Sequence, residues 1–247
     1  MAESQPPKVG EVSSVAATER PARMGVVRFS AAQFLVSLVL LFVVTPFVGG
    51  LPFGDMIESA LLTLVLLSGV MAVGKRRHTL IVATVLVVPA VVLKWLNHLH
   101  PEVFHYHGFM MCGLVFVIYV SFELLWFVLR APRVNSEVLC AGLSNYLLLG
   151  LIWSFAYLLV DRLLPGSFSF NNLSANATGM TGFDSLYFSF VTLSTVGYGD
   201  IVPVSRAARV LAVMESLAGT LFVAVFIARL VALYTSQGLE KNDGARH

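Results

Sequence analysis

The sequence predicts an all-α membrane protein with six transmembrane helices and one short re-entrant helix between the fifth and the sixth. Three observations support this fold class. Of the 247 residues, 57% are hydrophobic and 12% are charged, whereas about a quarter of the residues of a soluble domain are charged. The hydrophobic residues are gathered into six runs, each of a length that suits a transmembrane helix. A seventh apolar segment, residues 183–194, is too short to cross a bilayer.

The six runs occupy residues 29–48, 59–74, 79–96, 108–129, 138–160 and 210–234. The first is expected to be an uncleaved span, because the polar residues before it are too many for the start of a signal peptide. Residues 1–27 are predicted to form a disordered tail, since they are rich in Pro, Ser, Ala and charge without an apolar period. Pro89 is expected to kink the third helix.

Positive charge gives the orientation. When the six runs cross in alternation, 12 of the 16 Lys and Arg residues fall on the side of the N-terminus, and Lys94, Arg162, Arg206 and Arg209 fall on the other side. Because basic residues are retained in the cytoplasm, both termini are predicted to be cytoplasmic, which agrees with an even number of crossings.

The composition also excludes several functions. A net charge of +2 without a basic tract gives no reason to expect a nucleic-acid partner. The sequence contains no nucleotide-binding loop, no metal-hydrolase helix and no Ser/His/Asp arrangement. We therefore expect neither an enzyme nor a cofactor-binding protein, but a protein whose partners include membrane lipid.

Covalent modification is predicted to have little part in the fold. Cys112 and Cys140 would lie near opposite membrane faces, so they are interpreted as small buried residues and not as a disulfide. Asn172 and Asn176 begin glycosylation sequons, which would matter only in an organism with a secretory pathway.

The segment 183–194 must enter the membrane and return on the same side. Thr181 or Asp184 could cap its start as a helix. The hexapeptide 195–200 follows at once, and Pro203 then ends any helical continuation. Backbone that is neither helix nor barrel is tolerated at membrane depth only where protein buries it or a wet cavity adjoins it. Residues 195–200 are therefore predicted to line a pore.

The hexapeptide consists of Thr195, Val196, Gly197, Tyr198, Gly199 and Asp200. Two glycines at alternate positions allow backbone angles of alternating sign, which can turn successive carbonyls toward one axis while Val196 and Tyr198 point into the surrounding wall. Such a column of carbonyls, extended by the Thr195 hydroxyl, can replace the water around a cation. Asp200 would place negative charge at the outer mouth.

Residues 194–200 resemble the potassium-channel signature, and the order of span, re-entrant helix, loop and span resembles the same family. The resemblance implies a selectivity filter in which K⁺ is bound by Thr195, Val196, Gly197 and Tyr198, with Gly199 completing the filter. K⁺ would be the permeant ligand and no cofactor is implied. One filter strand per chain resembles the subunits that assemble as homotetramers in the cell membrane.

Three residues near the filter differ from the residues at the same positions in related channels. Val191 stands where two-span bacterial channels carry a glutamate that pairs with the filter aspartate, so Asp200 needs another partner. Tyr187 and Phe188 stand where relatives carry two tryptophans. The Tyr187 hydroxyl is a candidate donor to Asp200.

Two residues of the sixth run are candidates for a role in the pore. Glu215 is a carboxylate within a span, which is costly unless it is paired. It is expected to lie behind the filter, hydrogen-bonded to the re-entrant helix, for example at Thr192, or to a neighbouring chain. The alternative is a position facing the pore cavity. Gly219 aligns with the hinge glycine of related inner helices, although close packing is the alternative reason for a glycine there.

Runs one to four resemble a voltage-sensor domain in number but lack its charges. Steep voltage gating requires about three or four gating charges per subunit, and the fourth run has no basic residue before Arg130. We therefore expect a channel that is not steeply voltage-gated. Glu123, in the same run, could pair across the bundle or face a wet crevice.

Four histidines lie in the predicted external loop between runs three and four: His98, His100, His105 and His107. Imidazoles that titrate near pH 6.5 could sense external protons, and together with Glu102 they could bind zinc or copper. Their spacing fits no closed zinc signature, so an ordinary external loop remains the alternative.

These observations divide the chain into five parts. A tail, residues 1–27, precedes a four-helix, voltage-sensor-like domain at 28–130, a cytoplasmic linker at 131–137, a pore domain at 138–235 and a short cytoplasmic tail at 236–247. The predicted function is passive conduction of K⁺ by a homotetramer. The alternatives are a non-conducting or modulatory channel subunit and, less in keeping with the intact filter, a non-selective cation pore.

Overall fold

The computed structural model describes residues 27–48, 51, 53–73, 77–99, 106–171 and 179–244. In chain order the elements are α1 Val27–Val48, α2 Gly54–Val73, α3 Arg77–Leu99, α4 Tyr106–Arg130, α5 Ser136–Leu163, β1 Phe168–Phe170, α6 Gly182–Leu193, β2 Ile201–Pro203 and α7 Arg206–Gly244. Within these described ranges, six helices are long and apolar enough to cross a membrane, namely α1 to α5 and α7. The all-α membrane fold and its six spans are thereby confirmed.

Some helices extend beyond the apolar runs that predicted them. Every predicted run lies inside one helix as far as the description extends, but α7 continues to Gly244, ten residues beyond the predicted end at Tyr234. The apolar pattern shows where a helix leaves hydrocarbon, not where its hydrogen bonding stops. Similarly, α3 is helical on both sides of Pro89, and its kink remains a prediction.

The helices form one packed unit in which α5 is central. Helices α1 and α4 both pack against α5, and α5 in turn packs against α6 and α7. The best-buried core residues of the four-helix domain include Phe34, Leu38, Val65, Val117 and Val120, each at most 1% exposed. On the pore side, Phe42 of α1 meets Phe190 of α6 edge to face, with ring centroids 4.8 Å apart. The four-helix domain therefore lies against the pore segment of its own chain.

Two pairs of buried polar side chains join helices inside this unit. The Ser37 and Ser68 hydroxyls lie 2.7 Å apart and join α1 to α2, and Ser121 donates to the Asn145 side-chain oxygen across 2.7 Å, which joins α4 to α5. Such bonds matter in a bilayer, because lipid offers an unpaired hydroxyl no partner.

Three details were not predicted. Strands β1 and β2 pair antiparallel, with Phe168 opposite Pro203 and Phe170 opposite Ile201, where the sequence indicated only a polar loop. Arg229 Nη2 donates to the carbonyl of Ala131 across 3.0 Å. This bond ties α7 to the turn after α4. Cys112 and Cys140 are free thiols and are half-buried, not buried.

Candidate functional site

The short helix α6 starts at a capping box. The Thr181 hydroxyl accepts from the Asp184 backbone N–H at 3.1 Å, and the Asp184 carboxylate accepts from the Thr181 backbone N–H at 3.1 Å. Both residues that the sequence offered as caps therefore act together. The reciprocal bonds satisfy donors that a helix start leaves open, so they fix where α6 begins.

The loop after α6 alternates in backbone conformation. Thr195, Gly197 and Gly199 have φ values of 60°, 59° and 79°, whereas Val196 and Tyr198 between them stay outside the left-handed region. The alternation that the two glycines predicted is confirmed. A β-carbon placed on either glycine would meet nothing within 4 Å, so these positions favour glycine for its backbone freedom and not for lack of space.

Thr195 also has a positive φ, a backbone conformation that residues with a side chain disfavour. A non-glycine residue in the left-handed region costs about 1–2 kcal/mol, and nothing in the sequence indicated this conformation. Hydrogen bonds from the loop backbone to the end of α6 compensate for this cost. The N–H of Thr195 donates to Thr192 O at 2.9 Å, and those of Val196 and Gly197 donate to Val191 O at 2.9 and 3.2 Å. Val191 and Thr192 thus support the loop through their carbonyls.

The outer end of the loop is held by α6. The Tyr187 hydroxyl donates to Asp200 Oδ2 across 2.7 Å, which confirms the bond proposed from sequence. The Ile201 N–H donates to the other carboxylate oxygen across 3.0 Å. The hydrogen bond from Tyr187 holds the pKa of Asp200 below its ordinary value and raises the pKa of Tyr187 to about 12. The pair therefore persists over the whole neutral pH range.

A second contact to the outer end comes from the residue after β1. The backbone N–H of Asn171 donates to Asp200 O at 2.8 Å, and its side-chain amide donates to Gly199 O at 2.8 Å. Sequence reasoning missed Asn171, because its role depends on the pairing of β1 with β2, and three-residue strands leave no readable period.

Glu215 lies behind the loop, as expected, with 0% of its surface exposed. Its carboxyl oxygens contact the hydroxyls of Ser189 on α6 and Tyr157 on α5. The suggested partner Thr192 was wrong, because Ser189 lies one turn earlier on the face of α6 that meets α7. A cavity-facing position does not fit complete burial. Glu215 therefore joins three helices at one point.

The ring of Tyr157 is fixed by aromatic neighbours. It meets Phe188 edge to face at 4.9 Å between ring centroids and Phe168 of β1 at 5.6 Å. The two aromatic residues at positions 187 and 188 therefore have different roles. Tyr187 holds the outer mouth, and Phe188 packs into the cluster that orients Tyr157 toward Glu215.

Gly219 lets α7 approach the end of α6. A β-carbon on Gly219 would lie 2.3 Å from Leu193 O, so close packing alone accounts for a glycine here. Helix α7 is continuous through this position, and the hinge role remains a prediction. A crevice of about 400 Å³ opens beside it, at the inner end of the loop, and Thr195 and Tyr146 contribute to its lining.

Other candidate residues are described only in part. The side chains of His98, His100, His105 and His107, like Asn172 and Asn176, fall outside what the structure describes. Within the described part of the chain, no group of three His, Cys, Asp or Glu residues could hold a metal ion. Glu123 and Tyr119 of the same helix line a crevice of about 620 Å³ to which α1 to α5 all contribute.

Comparison with known proteins matches the same part of the chain. A protein-family model described as "Ion channel" matches residues 145–236. "Two pore potassium channel b" of Oryza sativa subsp. japonica is 39% identical over 92 residues, which are 36% of this chain and 24% of that protein. "Inward rectifier potassium channel Kirbac3.1" of Paramagnetospirillum magnetotacticum is 30% identical over 94 residues, 36% of this chain and 27% of that protein.

A shorter match reaches higher identity. "Two-pore potassium channel 1" of Arabidopsis thaliana is 48% identical over 46 residues, 19% of this chain and 13% of that protein. The chain thus covers 13–27% of the length of these curated relatives. The family match at residues 145–236 contains α6, the loop and most of α7.

Removing the Tyr157 hydroxyl is expected to destabilise the fold. In Tyr157→Phe the buried Glu215 carboxyl loses a donor that lipid and protein cannot replace, at a cost of about 1–3 kcal/mol. Thermal unfolding in detergent measures this loss. Tyr146→Phe is the matched control on the same helix, where the ring packs on Phe222 at 5.9 Å, and equal losses in both variants would contradict the role given to the hydroxyl.

Removing the Tyr187 hydroxyl is expected to shift the titration of Asp200. Because the hydrogen bond lowers the pKa of Asp200, Tyr187→Phe moves that pKa upward toward its ordinary value. As the pH falls, the variant therefore loses the Asp200 charge, and the stability linked to it, at a higher pH than the unaltered protein. NMR of the labelled aspartate carboxyl carbons measures the two midpoints.

Tyr234→Phe, at an exposed site on α7, is the control for this titration and should leave the Asp200 midpoint unchanged. An identical midpoint in Tyr187→Phe and the unaltered protein would show that the bond to Asp200 is absent.

A methyl group at position 219 is expected to force α6 and α7 apart. Gly219→Ala should cost about 1–3 kcal/mol through overpacking, because the new carbon would contact the Leu193 carbonyl. Gly69→Ala is the control, since its nearest neighbours are ring atoms at an ordinary 3.4 Å. Unfolding curves in detergent compare the two, and a larger loss in Gly69→Ala would argue against the close approach of α7 to α6.

Proposed function

We propose that this chain is a subunit of a potassium-selective channel that conducts K⁺ passively across the cell membrane. The match of residues 145–236 to the ion-channel family model and the similarity to potassium channels support this proposal. The observation that carries the proposal is the alternating backbone of residues 195–199, placed between a short helix and a membrane-crossing one. Nothing in this site offers catalytic chemistry, and we propose a channel, not an enzyme.

The loop supplies the ligands that a dehydrated K⁺ ion needs. Its first three N–H groups bond back to the end of α6. The carbonyls of Thr195, Val196, Gly197 and Tyr198 accept no backbone hydrogen bond from the described residues. In alternating left- and right-handed backbone such carbonyls face one side, and a ring of them can replace the hydration shell of the ion. The Thr195 hydroxyl adds an oxygen at the inner end.

A single loop cannot surround an ion, so we propose a homotetramer. Two features of the chain support it. Val196 and Tyr198 are 53% and 71% exposed within one chain, although such side chains should be packed against a wall. Helix α7 also leaves much of its apolar surface uncovered, including Val210, Val213, Leu217, Leu221 and Val225. Neighbouring copies around a central axis would supply the missing contacts.

The positions of the basic residues support one proposal on gating and another on orientation in the membrane. Within α4 the basic residue is Arg130, at the last position, where its guanidinium lies 4.0 Å from the centroid of the Trp126 ring. One such residue is below the three or four charges of a steep voltage sensor, so we propose that opening depends little on voltage. The bias of Lys and Arg toward the side of the N-terminus supports the proposal that both termini are cytoplasmic.

Potassium flux into liposomes tests the proposal. The purified protein alone should pass K⁺ much faster than Na⁺ down an imposed gradient. Gly197→Ala should abolish the flux, because residue 197 has φ of 59° and a side chain strains that conformation at an ion-binding carbonyl.

Gly166→Ala is the matched control, since Gly166 has φ of 79° in the turn between α5 and β1. It should keep full K⁺ flux despite similar backbone strain. Equal flux of Na⁺ and K⁺ would contradict selectivity, and absence of flux from a folded tetramer would favour the modulatory-subunit alternative.

A further inference from the structure

The outer end of the filter is held from two sides by different elements. Tyr187 of α6 holds the Asp200 carboxylate, whereas Asn171, after β1, holds the backbone. One residue donates twice there: its main-chain N–H reaches Asp200 O at 2.8 Å, and its side-chain amide reaches Gly199 O at 2.8 Å. Two successive carbonyls of the loop therefore accept hydrogen bonds from Asn171.

The Gly199 peptide has little else to fix its orientation. Gly199 has φ of 79°, and the direction in which a side chain would project holds no atom within 4 Å. A glycine has broad access to other backbone angles, and within its own chain no neighbouring atom stands in the way. The direction of the Gly199 carbonyl therefore depends strongly on the hydrogen bond that it accepts.

Asn171 is itself well placed to give that bond. The β1–β2 ladder ends with Phe170 opposite Ile201, and the main-chain bond from Asn171 to Asp200 extends the ladder by one residue. The backbone at Asn171 is thus positioned by the strand pair, and only its side-chain rotamer has to be ordered to reach Gly199. That requirement keeps the entropy cost of the bond small.

We propose that Asn171 is a positioning residue of the filter, whose side-chain amide holds the Gly199 carbonyl and thereby the outermost K⁺ coordination site. This rests on the proposed channel function. A K⁺ ion at the outer site would itself attract the Gly199 carbonyl. The ion and the amide then stabilise the same arrangement, and the amide matters most when external K⁺ is low.

The test measures sustained K⁺ current of the full-length protein in lipid bilayers as external K⁺ is varied. Asn171→Asp keeps the size of the side chain but replaces the donor with an oxygen that repels Gly199 O, and Asn171→Ala removes the side chain. Both keep the main-chain bond to Asp200. Since one such bond contributes about 0.5–1.5 kcal/mol, the external K⁺ concentration for half-maximal sustained current should rise about two- to twelvefold.

High external K⁺ should restore the current of both variants to that of the unaltered protein, a rescue that a general loss of stability would not show. Ser169→Ala, at an exposed position of β1, is the control and should leave the K⁺ dependence unchanged. Tetramer content and thermal unfolding are measured on every variant, and both Asn171 variants should assemble.

Three results would overturn the proposal: an unchanged K⁺ dependence in both Asn171 variants, an equal shift in Ser169→Ala, or failure of both Asn171 variants to fold. Absence of K⁺ current in the unaltered protein is a different outcome, because it would contradict the channel function itself.

Discussion

The backbone of residues 195–199 has to keep alternating conformations without the hydrogen bonds of a helix or a strand. This constraint governs the rest of the structure. In a bilayer such a loop survives only where protein supports it or water adjoins it, and Thr195 carries a strained conformation in addition. The C-terminal carbonyls of α6 hold the inner half of the loop, while Tyr187 and Asn171 hold the outer end.

The residues that support the loop depend on one another. Helix α6 can present its carbonyls at Val191 and Thr192 only if the helix is fixed, and this depends on the capping box at its start and on Ser189 beside Glu215. The Glu215 contact brings in Tyr157 of α5, whose ring is in turn held by Phe168 and Phe188. A chain of contacts therefore runs from the strand pair, through α5 and α7, to the loop.

Much of this architecture is readable from sequence because it depends on local rules. The apolar runs predicted the six spans, and the short length of residues 183–194 predicted the re-entrant helix. The glycines at positions 197 and 199 predicted the alternating backbone conformation of the loop. The features that the sequence did not predict depend on contacts between segments that are distant along the chain. Ser189 and Tyr157 are ordinary residues until α5, α6 and α7 meet at Glu215, and Thr195 adopts its conformation because α6 ends where it does. Asn171 gains its role only through a strand pair of three residues each.

The most direct measurement is a crystal structure of the purified protein with Rb⁺ or Tl⁺ replacing K⁺, in which anomalous scattering locates the ions. The proposed channel function requires four chains around one axis and a row of anomalous peaks between the carbonyl oxygens of residues 195–199. A folded protein whose 195–199 loops do not face a common axis, or whose axis carries no ions between those carbonyls, would contradict it.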